Sequence, residues 1–136
     1  MLPVETADGR KDIMAIRIRR AYDPPLPEDG RRVLVERLWP RGIKKENLPI
    51  SAWLRELAPS NELRRWFGHD AARWEEFQRR YRQELRGDRQ QQLIDELAHQ
   101  AARRNVTLIY STREERFNNA VALRDIIEER LRRLAT

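Results

Sequence analysis

The stretch Val106-Thr107-Leu108-Ile109-Tyr110-Ser111-Thr112-Arg113-Glu114 decides the fold class. Its first five residues form a β-branched and aromatic apolar run, the composition of a strand buried on both faces. Helical periodicity flanks it on both sides. Leu93, Ile94, Leu97, Ala98 and Ala101 recur three and four apart before it, and Phe117, Ala120, Val121, Ile127 and Leu131 do so after it. A buried strand set between amphipathic helices favours an α/β layer with at least partly parallel pairing.

Two more strands are expected nearer the N-terminus. Ile13 to Arg20 alternates, with Ile16 and Ile18 set against Arg17 and Arg19, as a half-buried strand does. Arg32 to Leu38 carries Val33, Leu34, Val35 and Leu38. Between them Pro24, Pro25 and Pro27 fix φ and remove donors, which makes a rigid loop. Further along, Ser51 is expected to cap a helical piece from Ala52 to Leu57, and Ser60 to cap Asn61 to Phe67. Gly68 suits the left-handed position that ends that helix. Asp70 opens a longer helix with Trp74, Phe77, Tyr81 and Leu85, stopped at Gly87. Asp88 with Gln91 resembles a capping box, and Ser111 or Thr112 is placed to cap the last helix. The expected architecture is a small single α/β domain over residues 13–136. It has a mostly parallel short sheet with flanking helices in Rossmann-like layering. Residues 1–12 read as a flexible tail.

The 136 residues include 28 Lys+Arg and 22 Asp+Glu, a formal net charge of +6, and no cysteine. Absent cysteine excludes disulfides, thiolate catalysis and every Cys-based metal site. Only His69 and His99 remain as imidazoles, too far apart in sequence to suggest a metal site, and no cofactor motif is present. No apolar run reaches the roughly 20 residues of a membrane span, and no secretory signal is read, so a cytoplasmic protein is expected. Acidic residues are interspersed with basic ones, as in Arg113-Glu114-Glu115-Arg116, so most of the charge reads as solvated, ion-paired helix surface. Trp53, Trp66, Phe67, Trp74, Phe77 and Tyr81 read as an aromatic interior.

In open α/β sheets ligands gather beyond the carboxyl ends of the strands. Two segments occupy such places. Arg37-Leu38-Trp39-Pro40-Arg41-Gly42 offers two guanidiniums around a rigid turn, with Gly42 permitting close approach and Trp39 a stacking face. The bland alternative makes Trp39 core and Pro40–Gly42 a plain turn. Ser111, Thr112 and Arg113 would form an anion cradle at a helix N-terminus, with Asn118 and Asn119 one to two turns further on. Plain capping is the competing explanation. His69, in a loop between helices, has a pKa range suited to proton transfer.

The blocks Arg37-Leu38-Trp39-Pro40-Arg41-Gly42, Leu57-Ala58-Pro59-Ser60, Trp66-Phe67-Gly68-His69-Asp70 and Leu108-Ile109-Tyr110-Ser111 together resemble the YeaO-like branch of the domain-of-unknown-function 488 family. The resemblance spans about Ile16 to Ile127. It implies a compact α/β domain in bacterial or archaeal cytoplasm and no established activity. Other branches carry a Cys-His-Arg motif where this chain has Asn118-Asn119-Ala120, so any thiol chemistry there does not transfer. A transcriptional-regulator label, sometimes attached to such sequences, finds no helix-turn-helix with a basic recognition helix here.

These readings converge on a pocket for a small phosphate- or carboxylate-bearing molecule, such as a nucleotide. Arg37, Trp39, Arg41, Gly42, Ser111, Thr112, Arg113 and Asn118 would bind it, with His69 as the catalytic acid or base if it is an enzyme. The rivals are a nucleic-acid-binding module using the basic surface, and a homo-oligomer with exposed aromatics at its interface.

Overall fold

A computed structural model describes residues 16–135. The tail expected over residues 1–12 lies outside the described residues, as does the start of the first strand. Four strands form one all-parallel sheet: β1 (Ile16–Arg20), β2 (Arg31–Leu34), β3 (Ala52–Trp53) and β4 (Val106–Tyr110). Their order is β1-β4-β2-β3, so the last strand in sequence fills the gap between the first two. Leu108 pairs with Ile18 on one side and Val33 on the other. All five residues of β4 are buried. The apolar run at 106–110 is therefore the centre of the sheet, as its composition requires.

The two faces of the sheet are covered differently. Val33, Val35, Leu108 and Tyr110 point into a large core shared with α1 (Asn61–Phe67), α2 (Trp74–Glu84), α3 (Asp88–Ala101) and α4 (Asn119–Leu134). Leu34 and Ile109, one residue out of phase, meet a smaller cluster of Leu48, Trp39, Ile43, Ile50 and Trp53. The helices thus supply one layer, and the chain between β2 and β3 closes the other face. Within the large core Phe67 stacks on Phe77 at 4.4 Å and Trp74 on Phe77 at 5.7 Å. Trp66 is half-buried, with the Arg80 guanidinium 4.2 Å from its ring centre.

Local chemistry accounts for α1 and its neighbour. Ser60 Oγ accepts the Leu63 amide at 3.1 Å, and Gly68 ends the helix at φ 52. Ser60 also donates to the Glu84 carboxylate, from its amide at 2.8 Å and its hydroxyl at 2.5 Å, which ties α1 to the end of α2. Asp70 accepts the Ala72 amide and opens the single turn that leads into α2.

Four expectations are corrected. The helix expected from Ala52 to Leu57 is instead β3 followed by one short turn. The open edge of β2 needs partners, and Ser51 N and Leu54 N supply them to the carbonyls of Arg32 and Leu34. A helix of so few residues has no comparable stabilisation of its own. The second strand ends at Leu34, not Leu38, although Val35 still donates to Ile109 O. Helix α3 is preceded by Gly87 without a side-chain cap, and Gln91 reaches Leu85 O instead of closing a box. Helix α4 starts after Asn118, eight residues beyond Tyr110, because Asn118 Oδ1 accepts the Val121 amide. Thr112 Oγ1 caps only a local turn at Glu114.

Candidate functional site

Adjacent strands β4 and β2 send their chains in opposite directions. β2 is followed by β3 on its outer side, whereas β4 leads to α4, which packs on α3 and β1. Such a switch point leaves a crevice beyond the carboxyl ends of the strands. A cleft of about 320 Å³ opens there. Glu36 enters it from the β2 exit, Ser111 and Thr112 from the β4 exit, and Asn118 and Asn119 from the start of α4. The facing wall is Arg64, Arg65 and His69, with Phe67 and Phe77 as an apolar floor.

His69 is held in an unusual backbone state. Gly68 and His69 are both left-handed, at φ 52 and 57, and histidine is among the few side chains that tolerate this. The bend swings the imidazole back over Phe67, ring centres 5.9 Å apart, and sets Nε2 3.3 Å from Thr112 Oγ1. The cleft is thereby bridged between α1 and the β4 exit. Glu114 sits behind Thr112, held below the usual carboxylate range by the amides of Arg116 and Phe117, with a smaller contribution from His69.

Glu36 carries the cleft's carboxylate. Its Oε2 accepts the Ser111 amide at 2.9 Å, and its main-chain carbonyl accepts the Trp53 indole N–H at 2.6 Å. Burial pushes its pKa up, opposed in part by the Ser111 amide and the Arg64 guanidinium. Ser111 Oγ is shielded from solvent and has no hydrogen-bond partner. Asn119 anchors the floor by donating to Val35 O at 2.8 Å. Asn118 and Asn119 bring the positive end of the 16-residue α4 to the cleft, and the first turn of that helix holds no acidic residue.

The cleft therefore gathers His69, Ser111, Thr112 and Asn118 and leaves out Arg37, Trp39, Arg41, Gly42 and Arg113. Arg37 donates to Ala58 O at 3.0 Å and Pro59 O at 3.2 Å, so its fork is engaged by the chain itself. Trp39 donates to Ile43 O at 2.6 Å and meets Trp53 edge-on at 5.4 Å. Its place is in the smaller core cluster. Arg41 is exposed, and its carbonyl accepts the Tyr22 hydroxyl at 2.7 Å. Gly42 adopts φ 82 in open space, so the turn needs the glycine and no close approach does. Arg113 is exposed on the loop before α4. The helix N-terminus expected at Ser111 and Thr112 is moved to Asn118 and Asn119.

Three residues of the cleft had not been singled out from the sequence. Glu36 carried a weak signal, as an acid directly after the apolar run Val33-Leu34-Val35. Arg64, part of the block Glu62-Leu63-Arg64 that also bears the family resemblance, was given no role, and Arg65 carried no signal.

The fold and the cleft define a small α/β domain with a polar pocket at the switch point of a parallel sheet. Residues 15–135 match the family described as the inactive DUF488-N3 subclade. The chain belongs to that family. It is similar to the uncharacterized protein YeaO of Escherichia coli K12, 40% identical over 112 residues, which cover 82% of this chain and 96% of that protein. It is also similar to the uncharacterized protein Rv3073c of Mycobacterium tuberculosis H37Rv, 36% identical over 115 residues, 85% of this chain and 95% of that one. No solved structure matches. No helix among the described residues is long and apolar enough to cross a membrane.

Proposed function

We propose that this protein binds a small anionic ligand in the cleft between the β2 and β4 exits and does not turn it over. The ligand carries a phosphate or carboxylate, as a nucleotide does. One observation carries this reading: the positive end of α4, two guanidiniums and an imidazole share walls with a buried hydroxyl, Ser111 Oγ, that has no partner. Buried polar groups are seldom left so, and a ligand oxygen or N–H completes this one. Arg64 and Arg65 take the anion in the forked geometry suited to phosphate or carboxylate. Glu36 accepts an N–H or O–H of the ligand's uncharged part, and Phe67 and Phe77 pack against its apolar face. His69 serves as a hydrogen-bonding contact. Binding without turnover agrees with the description of the matching family as inactive. The compartment that goes with this reading is the cytoplasm.

A thermal-shift screen of nucleotides and phosphorylated metabolites tests it. At least one should raise Tm in the wild type and in Arg41→Ala, with the gain lost in Arg64→Ala/Arg65→Ala. Stabilisation by none of them, or equal stabilisation of the double variant, would overturn the reading. Conversion of the stabilising ligand during incubation would overturn its non-catalytic part.

A further inference from the structure

At the opposite pole of the sheet, where β2 and β4 begin, a second depression of about 340 Å³ is lined by Arg31, His99, Gln100, Arg103 and Arg104. None of these is acidic. Their convergence is built by the backbone. Gly30 sits at φ 62 against the turn between α3 and β4, where a Cβ would fall 2.3 Å from Asn105 O. Only glycine lets β2 start there, and Arg31 N then donates to Asn105 O at 2.9 Å. In the same turn Arg103 N and Arg104 N both donate to Gln100 O at 3.0 Å. The backbone thus brings Arg31, Arg103 and Arg104 to the rim of one hollow.

Two polar atoms of the lining residues lack partners. Arg31 Nε and Gln100 Oε1 are shielded from solvent and make no hydrogen bond. One is a donor that needs an oxygen, the other an acceptor that needs an O–H or N–H. His99 Nδ1 lies 2.8 Å from Asp95 O. A carbonyl only accepts, so Nδ1 carries the proton and Nε2 is left for another contact. Asp95 itself pairs with Arg130 at 3.3 Å.

We infer that this hollow is a phosphate-binding site, separate from the cleft. A carboxylate has two oxygens and satisfies one guanidinium fork. A phosphoryl group offers three or more, enough for Arg31, Arg103 and Arg104 together, and a protonated or water-bridged oxygen reaches Gln100 Oε1. The five residues of β4 separate this site from the cleft by about 16 Å at the rise of a parallel strand. The phosphate belongs either to a nucleic-acid backbone or to a phosphorylated small molecule, and the chemistry of the hollow is the same for both.

Inorganic phosphate titrated into the ¹⁵N-labelled full chain at constant ionic strength tests the site, read at the Arg31 Nε–H signal and the amides of Arg103 and Arg104. Saturable shifts are expected in the wild type and equally in Arg64→Ala/Arg65→Ala, which separates this site from the cleft. About tenfold weaker binding is expected in Arg103→Ala/Arg104→Ala, the loss of one charged contact or more. A short single-stranded oligonucleotide without a terminal phosphate then assigns the source. The same signals moving, with affinity that falls as salt rises, point to a nucleic-acid backbone; movement with inorganic phosphate alone points to a small molecule. Shifts that never saturate, that chloride reproduces, or that survive undiminished in Arg103→Ala/Arg104→Ala would overturn the proposal.

Discussion

The segments that leave β2 and β4 begin side by side at the same end of the sheet and end in opposite roles. After β2 the side-chain donors meet the chain's own carbonyls: Arg37 those of Ala58 and Pro59, Trp39 that of Ile43. After β4 the Asn118 and Asn119 amides also meet carbonyls, those of Glu114 and Val35, but Ser111 and Thr112 line the cleft. Ser111 Oγ has no partner, Thr112 reaches across to His69, and α4 opens toward the cleft. Beyond Glu36 the first segment is a corner of the core, and the second is a wall of the cleft. The difference teaches that a guanidinium at a strand end can be engaged by main-chain oxygens within its reach, as Arg37 is, with no ligand required.

Replacing residues on each side of that divide should separate stability from binding. Trp39→Ala has the largest expected cost, about 2–3 kcal/mol in urea denaturation for a half-buried indole, with the cleft ligand still bound. Retained stability would show that the β2 exit is not a packed corner. Arg37→Ala follows at about 1–2 kcal/mol, because two partly buried carbonyls lose their donor, again without loss of ligand. Asn118→Ala should cost about 1 kcal/mol by uncapping α4, and it alone of these three should also weaken the ligand, as titration calorimetry would show.

Glu36→Gln sharpens the comparison through pH. Burial raises the carboxyl pKa in the folded state, so the native protein keeps this proton to higher pH than the unfolded chain does. Its contribution to stability is present below the ordinary carboxylate range and declines as pH rises from there through the raised folded value. The glutamine variant should gain on the wild type across that window. A stability difference that stays constant with pH would contradict the account of Glu36. Arg41→Ala is the smallest: a change within about 0.5 kcal/mol, as for an exposed side chain, and no effect on the ligand.

Much of the fold was legible because it rests on local chemistry. The apolar run at 106–110, the Ser60 cap, the left-handed Gly68 and the Asp70 cap all depend on residues a few positions apart. The 52–57 segment misled because its conformation answers to the open edge of β2, twenty residues earlier. The start of α4 misled because Ser111, Thr112 and Asn118 are all competent caps, and the Glu114 turn decides among them. The lining of the cleft was half legible. His69, Ser111, Thr112 and Asn118 lie at strand and helix ends, where ligands are expected. Arg64 and Arg65 reach the cleft only because Ser60 and Glu84 fix the placement of α1, and nothing in their neighbours' sequence states that.

The most direct measurement is the amide chemical-shift map of the full chain with a stabilising anion from the thermal screen. The account predicts movement at His69, Ser111, Thr112 and Asn119 and none from Trp39 to Gly42. Movement at Trp39 to Gly42 with Ser111 and Thr112 unchanged would place the ligand on the wrong side of the sheet's switch point and contradict it.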